Sequence, residues 1–296
     1  MKTYRLEFIT PLFSRGVYED RPEIRPASIR GQLHWWFRAL GGRPTDENAI
    51  FGSVHGGATA SKIVVRVSSV VGATQRANTL PHKNGDQAAP KAAFQIGTHF
   101  DLHILTRLGG LNGPLLQAFS HTLESWLLLG TLGLRTTRAA GSFRWEPIGN
   151  DLHPPVDFPG YEARCSKLLE RAPLRFALLG QIYSSAEAAR RVVSDTLGGR
   201  DDYTGQDELA SLHDPLGKIG RGVRKTSPLR FRVVGIGNEF RIGAVWDGRM
   251  AVTGNRPSDL AGIIKLLKER KPALGLQLAN SKLAETLING DSNPRR

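Results

Sequence analysis

Arg30, His34 and Arg38 stand four residues apart in the stretch PEIRPASIRGQLHWWFRALGG, residues 22–42. On a helix that spacing stacks all three on one face. A row of cationic and hydrogen-bonding side chains is suited to holding an anion such as a phosphate chain. Arg25 and the Ser28 hydroxyl precede the row. Trp35 is the one aromatic of the WWF run that falls off the apolar face, where it can stack on a base or pack on a partner protein. The other reading of this stripe is a solvated helix face.

Two further segments combine glycine with positive charge. In GTLGLRTTRAAG, residues 130–141, the glycines let backbone approach a phosphate and Arg135 and Arg138 can clamp it. An ordinary helix end with a turn is the alternative. PLGKIGRGVRK, residues 215–225, sets Lys218, Arg221, Arg224 and Lys225 among glycines, as a basic loop, a hairpin tip or a solvated linker. His99, Asp101 and His103 alternate, so a strand puts them on one face. That triplet has metal-ligand chemistry, but also suits the polar side of a half-exposed strand. Glu19 and Asp20 could hold Mg²⁺ beside an RNA phosphate, or stand solvated in a loop. No P-loop, GxSxG or partnered cysteine nucleophile is present, so neither a cofactor nor a metal is assigned.

The elements that must position these residues can be read from hydrophobic period. Tyr4, Leu6 and Phe8 alternate with Arg5 and Glu7 as a half-buried strand. Pro26 and Ser28 suit a helix start, Ile29, Leu33, Trp36, Phe37 and Leu40 repeat at helical spacing, and Gly41-Gly42 ends it. A short helix is predicted over 45–51, a strand over 62–70, an irregular insertion over 72–93 and a strand over 94–107. A helix follows from Asn112 or Pro114 through Leu127, and a strand over 142–147. This β, α, β, β, α, β order is ferredoxin-like, the architecture of RRM-type RNA-binding domains. The proline-rich patch NDLHPPVDFPG, residues 150–160, reads as a linker. Beyond it, helices are predicted near 160–171 and 185–197. A hairpin follows from Leu229 through Trp246 across the GIGN turn, then a helix from Pro257 with a basic end. The expected class is α+β: tandem ferredoxin-like domains over 1–149 and 150–296, with antiparallel sheets and helices packed on one face.

The bulk composition favours a polyanionic partner. The 296 residues include 40 Lys and Arg against 27 Asp and Glu, a formal charge of +13 and a pI near 10.3. Nucleic acid is the first expectation, an anionic membrane surface the second. A single cysteine, Cys165, excludes an internal disulfide and fits a reducing, cytoplasmic setting. The first residues lack the apolar run of a signal peptide, and the longest apolar candidate, SWLLLGTLGL, is broken by Gly130 and Gly133.

Four stretches then carry a resemblance: "TPLF" closing the first strand, "EIRPASIRGQLHWWFRAL", "IFGS" with a short glycine run, and "GTLGLRTTRAAGS". Together they resemble RAMP-superfamily proteins of type III-B CRISPR (Cmr) effector complexes, especially the subunit at the head, where the guide 3′ end emerges. "KTSPLRFRV" extends the likeness into the second half. The resemblance implies tandem ferredoxin-like domains that bind guide RNA and its duplex with target RNA and assemble with other RAMP subunits in antiviral defence. It would turn Arg25, Ser28, Arg30, His34, Arg38, Arg135 and Arg138 toward RNA, with no cutting role. Related glycine loops carry a second glycine and an aromatic where this chain has Ala139 and Ala140. Two alternatives stand beside a non-catalytic RNA-binding subunit. One is a metal-dependent endoribonuclease using Asp20, Glu19 or the His99/Asp101/His103 triplet. The other is a structural head piece whose basic faces dock acidic surfaces of proteins.

Overall fold

In the computed structural model, β1 (Lys2–Phe8) runs through the middle of a four-stranded antiparallel sheet. The structure describes residues 1–18, 20–54, 57–81, 83–107, 109–198, 219–220, 223–224, 227, 229–247 and 249. Its sheet order is β2 (Ile63–Val71), β5 (His99–Thr106), β1, β6 (Phe143–Ile148). Tyr4 lies opposite Leu102, and Leu6 opposite both Phe100 and Trp145, so the apolar alternation of three strands falls on one face. Onto that face pack α1 (Pro26–Ala39) and α3 (Gly113–Leu129), through Ile29, Leu33, Trp36, Phe119, Leu123 and Trp126. This is the ferredoxin-like order with α2 (Pro44–Phe51) added after α1.

The insertion at 72–93 is more regular than its composition suggested. It holds a hairpin of β3 (Thr74–Asn78) and β4 (Pro90–Phe94). The strand predicted over 94–107 is accordingly split, because Phe94 pairs with Thr74 while Gly97, at φ +84°, turns the chain into β5. The hairpin carries no clean alternation because β3 is exposed on both faces while the neighbours Ala93 and Phe94 of β4 are both buried.

In the second half, the proline-rich patch gives way to α4 (Phe158–Leu169) earlier than expected. Asp157 is its N-cap, accepting the Gly160 N–H at 2.7 Å, and Pro159 occupies the first turn. The hairpin of β10 (Leu229–Ile236) and β11 (Glu239–Asp247) forms as read. A strand that the sequence reading missed, β7 (Leu174–Leu178), pairs antiparallel with β11. α5 (Ala186–Gly198) covers one face of this sheet through Ala189, Val192 and Val193. A short pair, β8 (Ile219–Gly220) with β9 (Val223–Arg224), lies between α5 and β10 in the chain. The helix predicted from Pro257 lies outside the described residues. The protein is thus α+β, with antiparallel sheets backed by helices.

The apolar cluster under α5, with Val193, Phe231 and Ile242, belongs mainly to the second half, but the larger cluster crosses residue 150. One apolar cluster joins Trp126, Phe143 and Trp145 to Tyr161, Leu174, Val234 and Val245. Arg232 crosses the same seam. It is 4% exposed and donates to the carbonyls of Leu127, Leu128 and Phe143. The first two belong to the last turn of α3, whose carbonyls have no partner within the helix. Tyr161 also donates its hydroxyl to the Leu128 carbonyl. A cation from the second sheet therefore caps the helix that leads into the glycine loop, where the helix dipole favours positive charge.

Candidate nucleic-acid interface

α1 has the two faces expected of it. Ile29, Leu33, Trp36, Phe37 and Ala39 are buried, while Arg25 and Arg38 are exposed and Ser28, Arg30, His34 and Trp35 half-buried. Pro26 occupies the first turn, and Arg25 stands at the N-cap with no side-chain cap bond. From Arg30 to His34 to Arg38 the helix rises about 6 Å per step.

The stripe is not all positive, because α2 brings a carboxylate into it. Glu47 Oε1 meets His34 Nδ1 at 2.6 Å, and Arg38 Nε donates to both Glu47 oxygens at 2.8 Å. The Glu47 side chain is 9% exposed, whereas that of Arg38 is 67% exposed, so Arg38 still presents an edge to solvent. Burial pushes the Glu47 carboxyl up, but the bonds from Arg38 and His34 outweigh it and hold it below its ordinary value. The same bond raises the Arg38 guanidinium. Arg30 donates to the Phe51 carbonyl, and the His34 ring lies 4.1 Å from that of Phe51. Arg30, His34, Arg38, Glu47 and Asn48 line a cleft of about 400 Å³ whose far wall includes Ser53, Thr59 and Ser61.

A depressed carboxyl is a stability contribution with a defined sign. For Glu47 it is fully present above the unfolded carboxylate value and is lost as pH falls through the lower folded value. The melting temperature of Glu47→Gln should therefore lie below that of the unmodified chain near neutrality, and the gap should close on acidification below about pH 4. A gap that stays constant from neutral to acid pH would remove the ion pair as its cause.

Trp35 is less available than its position on the helix implied. The Arg230 guanidinium of β10 sits 3.8 Å from its ring centroid, a cation–π contact, and Trp36 meets it edge-on at 5.2 Å. Burial pushes Arg230 down to about 10. At the end of α1, Arg249 donates to the Arg38 carbonyl while paired with Asp247 at 2.6 Å.

In the glycine loop, Arg135 is exposed at φ +59° and Arg138 half-buried. Burial and then the charge of Arg135 lower the Arg138 guanidinium. The glycines answer to protein rather than to a ligand. A Cβ on Gly141 would come within 1.9 Å of the Leu132 carbonyl, and one on Gly133 within 2.4 Å of the Phe13 carbonyl. Ala139 and Ala140 are fully buried, and the Ala139 carbonyl accepts from Thr10 and Ser142. The alanines thus belong to the anchored base of the loop, and of its two arginines Arg135 is the exposed one.

The other sequence candidates separate. Asp101 takes Arg5 Nε at 2.9 Å, and this bond holds it below its ordinary value. His103 lies between Thr3 Oγ1 at 3.1 Å and Ser68 Oγ at 2.7 Å. His99 Nδ1 faces the Gly97 carbonyl at 3.4 Å. The triplet is thus the polar face of β5, each member with a protein partner. Among the described residues, no three His, Cys, Asp or Glu side chains are grouped to hold a metal. Asp20 stands exposed in its loop. Lys218, Arg221, Lys225 and Glu19 lie outside the described residues. Of Arg224 only the backbone is described, pairing with Ile219. No helix among the described residues is long and apolar enough to cross a membrane. Cys165 is buried, with its thiol pushed up to about 12, chiefly by burial.

Sequence reasoning missed Glu47, Arg230, Arg232 and Arg249. Only Glu47 left a local signal: with Ile50 and Phe51 it forms an i, i+3, i+4 set that faces inward.

The first half of the chain thus combines a four-stranded antiparallel sheet in ferredoxin-like order with a basic first helix and a glycine loop after the second long helix. Residues 5–144 match the model of the RAMP superfamily. More particularly, the chain is similar to Cmr1. It is 54% identical over 39 residues to the CRISPR system Cmr subunit Cmr1-2 of Pyrococcus furiosus, a match spanning 13% of this chain and about a fifth (21%) of that relative. The crystal structure of apo Cmr1 from Pyrococcus furiosus superposes with a TM-score of 0.53 at 18% identity, covering 83% of this chain and 87% of that one. A chain of a type III-B Cmr-beta complex bound to cognate target RNA and AMPPnP gives a TM-score of 0.59 at 12% identity, covering 89% and 99%. These similarities bear out the family resemblance read from the sequence and an α+β fold of antiparallel sheets and helices.

Proposed function

We propose that this chain is an RNA-binding RAMP subunit of a type III-B CRISPR effector complex. In this reading it contacts guide RNA and the guide–target duplex near the guide 3′ end, assembles with other RAMP subunits, and does not cut. The observation that carries the reading is the α1 stripe inside a RAMP-matched unit: Arg30 and Arg38 partly open to solvent beside a cleft, in a chain of charge +13. Arg25, Ser28, Arg30, His34 and Arg38 form one contact surface and Arg135 and Arg138 a second, while Lys218, Arg221, Arg224 and Lys225 add further positive charge toward RNA. Trp35 packs under Arg230 and lends one edge at most. Phosphate contacts supply affinity with little regard to sequence, since base pairing by the guide selects the target.

The test is a titration of the full chain into fluorescent single-stranded RNA at several salt concentrations with Mg²⁺ present, each endpoint run on a denaturing gel. Binding that weakens steeply with salt and leaves the RNA intact supports the reading. Cut RNA would transfer it to an endoribonuclease. Neither binding nor cutting would make the basic faces protein-docking surfaces.

A further inference from the structure

A stripe meant only for phosphates has no use for a carboxylate at its centre. Glu47 nevertheless lines the cleft between Arg30 and Arg38, and its position is built: buried, gripped by Arg38 and His34, and held ionised. At this spot it repels a phosphate that would enter the cleft, while the outer edges of Arg30 and Arg38 stay open to phosphates on the rim. Oε1 receives His34 and Arg38, but Oε2 receives only the Arg38 Nε–H among the bonds formed here. A carboxylate oxygen has two lone pairs, so Oε2 keeps acceptor capacity toward an uncharged donor. The rest of the lining agrees: the Asn48 amide and the hydroxyls of Thr59 and Ser61 are neutral hydrogen-bonding groups. A cleft of about 400 Å³ falls in the range of sites that hold small ligands.

We infer that this cleft seats one ribonucleoside of the bound RNA, with its 2′-hydroxyl donating to Glu47 and its flanking phosphates on Arg30 and Arg38. The inference rests on the RNA-binding reading and deepens it. Glu47 becomes the residue by which the chain distinguishes RNA from DNA. The 2′-hydroxyl is the group that separates the two, and a hydrogen bond to a charged acceptor is strong enough to be read as a difference in affinity.

The experiment measures the Kd of the full chain for a single-stranded RNA and for its 2′-deoxy counterpart carrying the same bases, at one salt concentration. The unmodified chain should favour RNA by about tenfold, the worth of one charge-assisted hydrogen bond. Glu47→Gln should bring the ratio close to one, mainly by tighter binding of the deoxy strand as the repulsive charge is removed. Melting curves establish that the variant folds. Asn48→Ala, at an exposed position on α2, supplies an independent probe of the cleft and should weaken RNA binding severalfold more than deoxy binding. A ratio of one for the unmodified chain, or an equal gain for both strands in Glu47→Gln, overturns the inference while leaving RNA binding itself in place. Failure of the unmodified chain to bind RNA at all overturns the reading beneath it instead.

Discussion

Replacing Arg30 and Arg38 together by Ala should weaken binding to single-stranded RNA by roughly tenfold at physiological salt, and should flatten its salt dependence. The two effects have one origin. Each phosphate neutralised by an arginine releases condensed counterion, and for a single strand each such contact contributes about 0.7 to the slope of log K against log salt. Losing two contacts should lower that slope by roughly 1.4. The affinity loss is held to about 1–2 kcal/mol because Arg38 is two-thirds exposed and already shares its charge with Glu47. The double Lys variant is the informative control. It keeps both charges, so it should restore most of the slope, but it lacks the fork with which Arg38 engages Glu47. An unchanged slope for the double Ala variant would remove α1 from the RNA-contacting surface, whatever the affinity did. Arg30 also bonds the Phe51 carbonyl, so the melting temperature must be followed in parallel. A loss of affinity without a loss of slope would point to a displaced α2.

The largest effect on stability should come from Arg232→Ala, at about 3–4 kcal/mol, or a drop of roughly 10 °C in melting temperature. Arg232 is enclosed by protein, with its guanidinium 5.4 Å from the Phe143 ring centroid and bonded to three carbonyls. Alanine would leave the Leu127 and Phe143 carbonyls buried without donors and a void where the side chain lay. Arg232→Met should cost less, because the aliphatic stem is replaced while only the polar head is lost. The damage should also spread along the chain. α3 runs into the loop of Arg135 and Arg138, so proteolysis within residues 130–141 should accelerate in Arg232→Ala before the rest of the chain is attacked. A fall of less than about 2 °C would mean that other groups or water take over the cap of α3.

What could be read locally follows from period and from a few stop signals. The alternation of Tyr4, Leu6 and Phe8, the helical repeat of Ile29, Leu33, Trp36 and Phe37, and the β10–β11 hairpin each rest on one stretch of chain. In each the buried face repeats at the spacing of the element itself. The hairpin at 74–94 and strand β7 escaped for different reasons. In the first, β3 is exposed on both faces and β4 ends in two consecutive buried residues, so neither alternates. The second, LRFAL, is only five residues long, with Arg175 its one exposed position, too few for an alternation to stand out. The order of elements was enough to foresee a ferredoxin-like sheet, because few connections join such a series without crossing.

The composition and motifs by themselves determined a strongly basic α+β chain that resembles RAMP proteins, with cationic rows picked out on α1 and in two glycine-rich segments. Only the tertiary structure decided which of those cations meet solvent. Period 3.6 says which residues share a helix face, but not what another element sets against that face. Glu47 lies nine residues beyond Arg38, Arg230 nearly two hundred beyond Trp35, and Arg232 more than a hundred beyond the carbonyls it caps. An ion pair, a cation–π contact or a buried cap leaves no mark within a short window of sequence. Its partners are brought together by burial of apolar surface elsewhere, and the charges then settle where that packing leaves them.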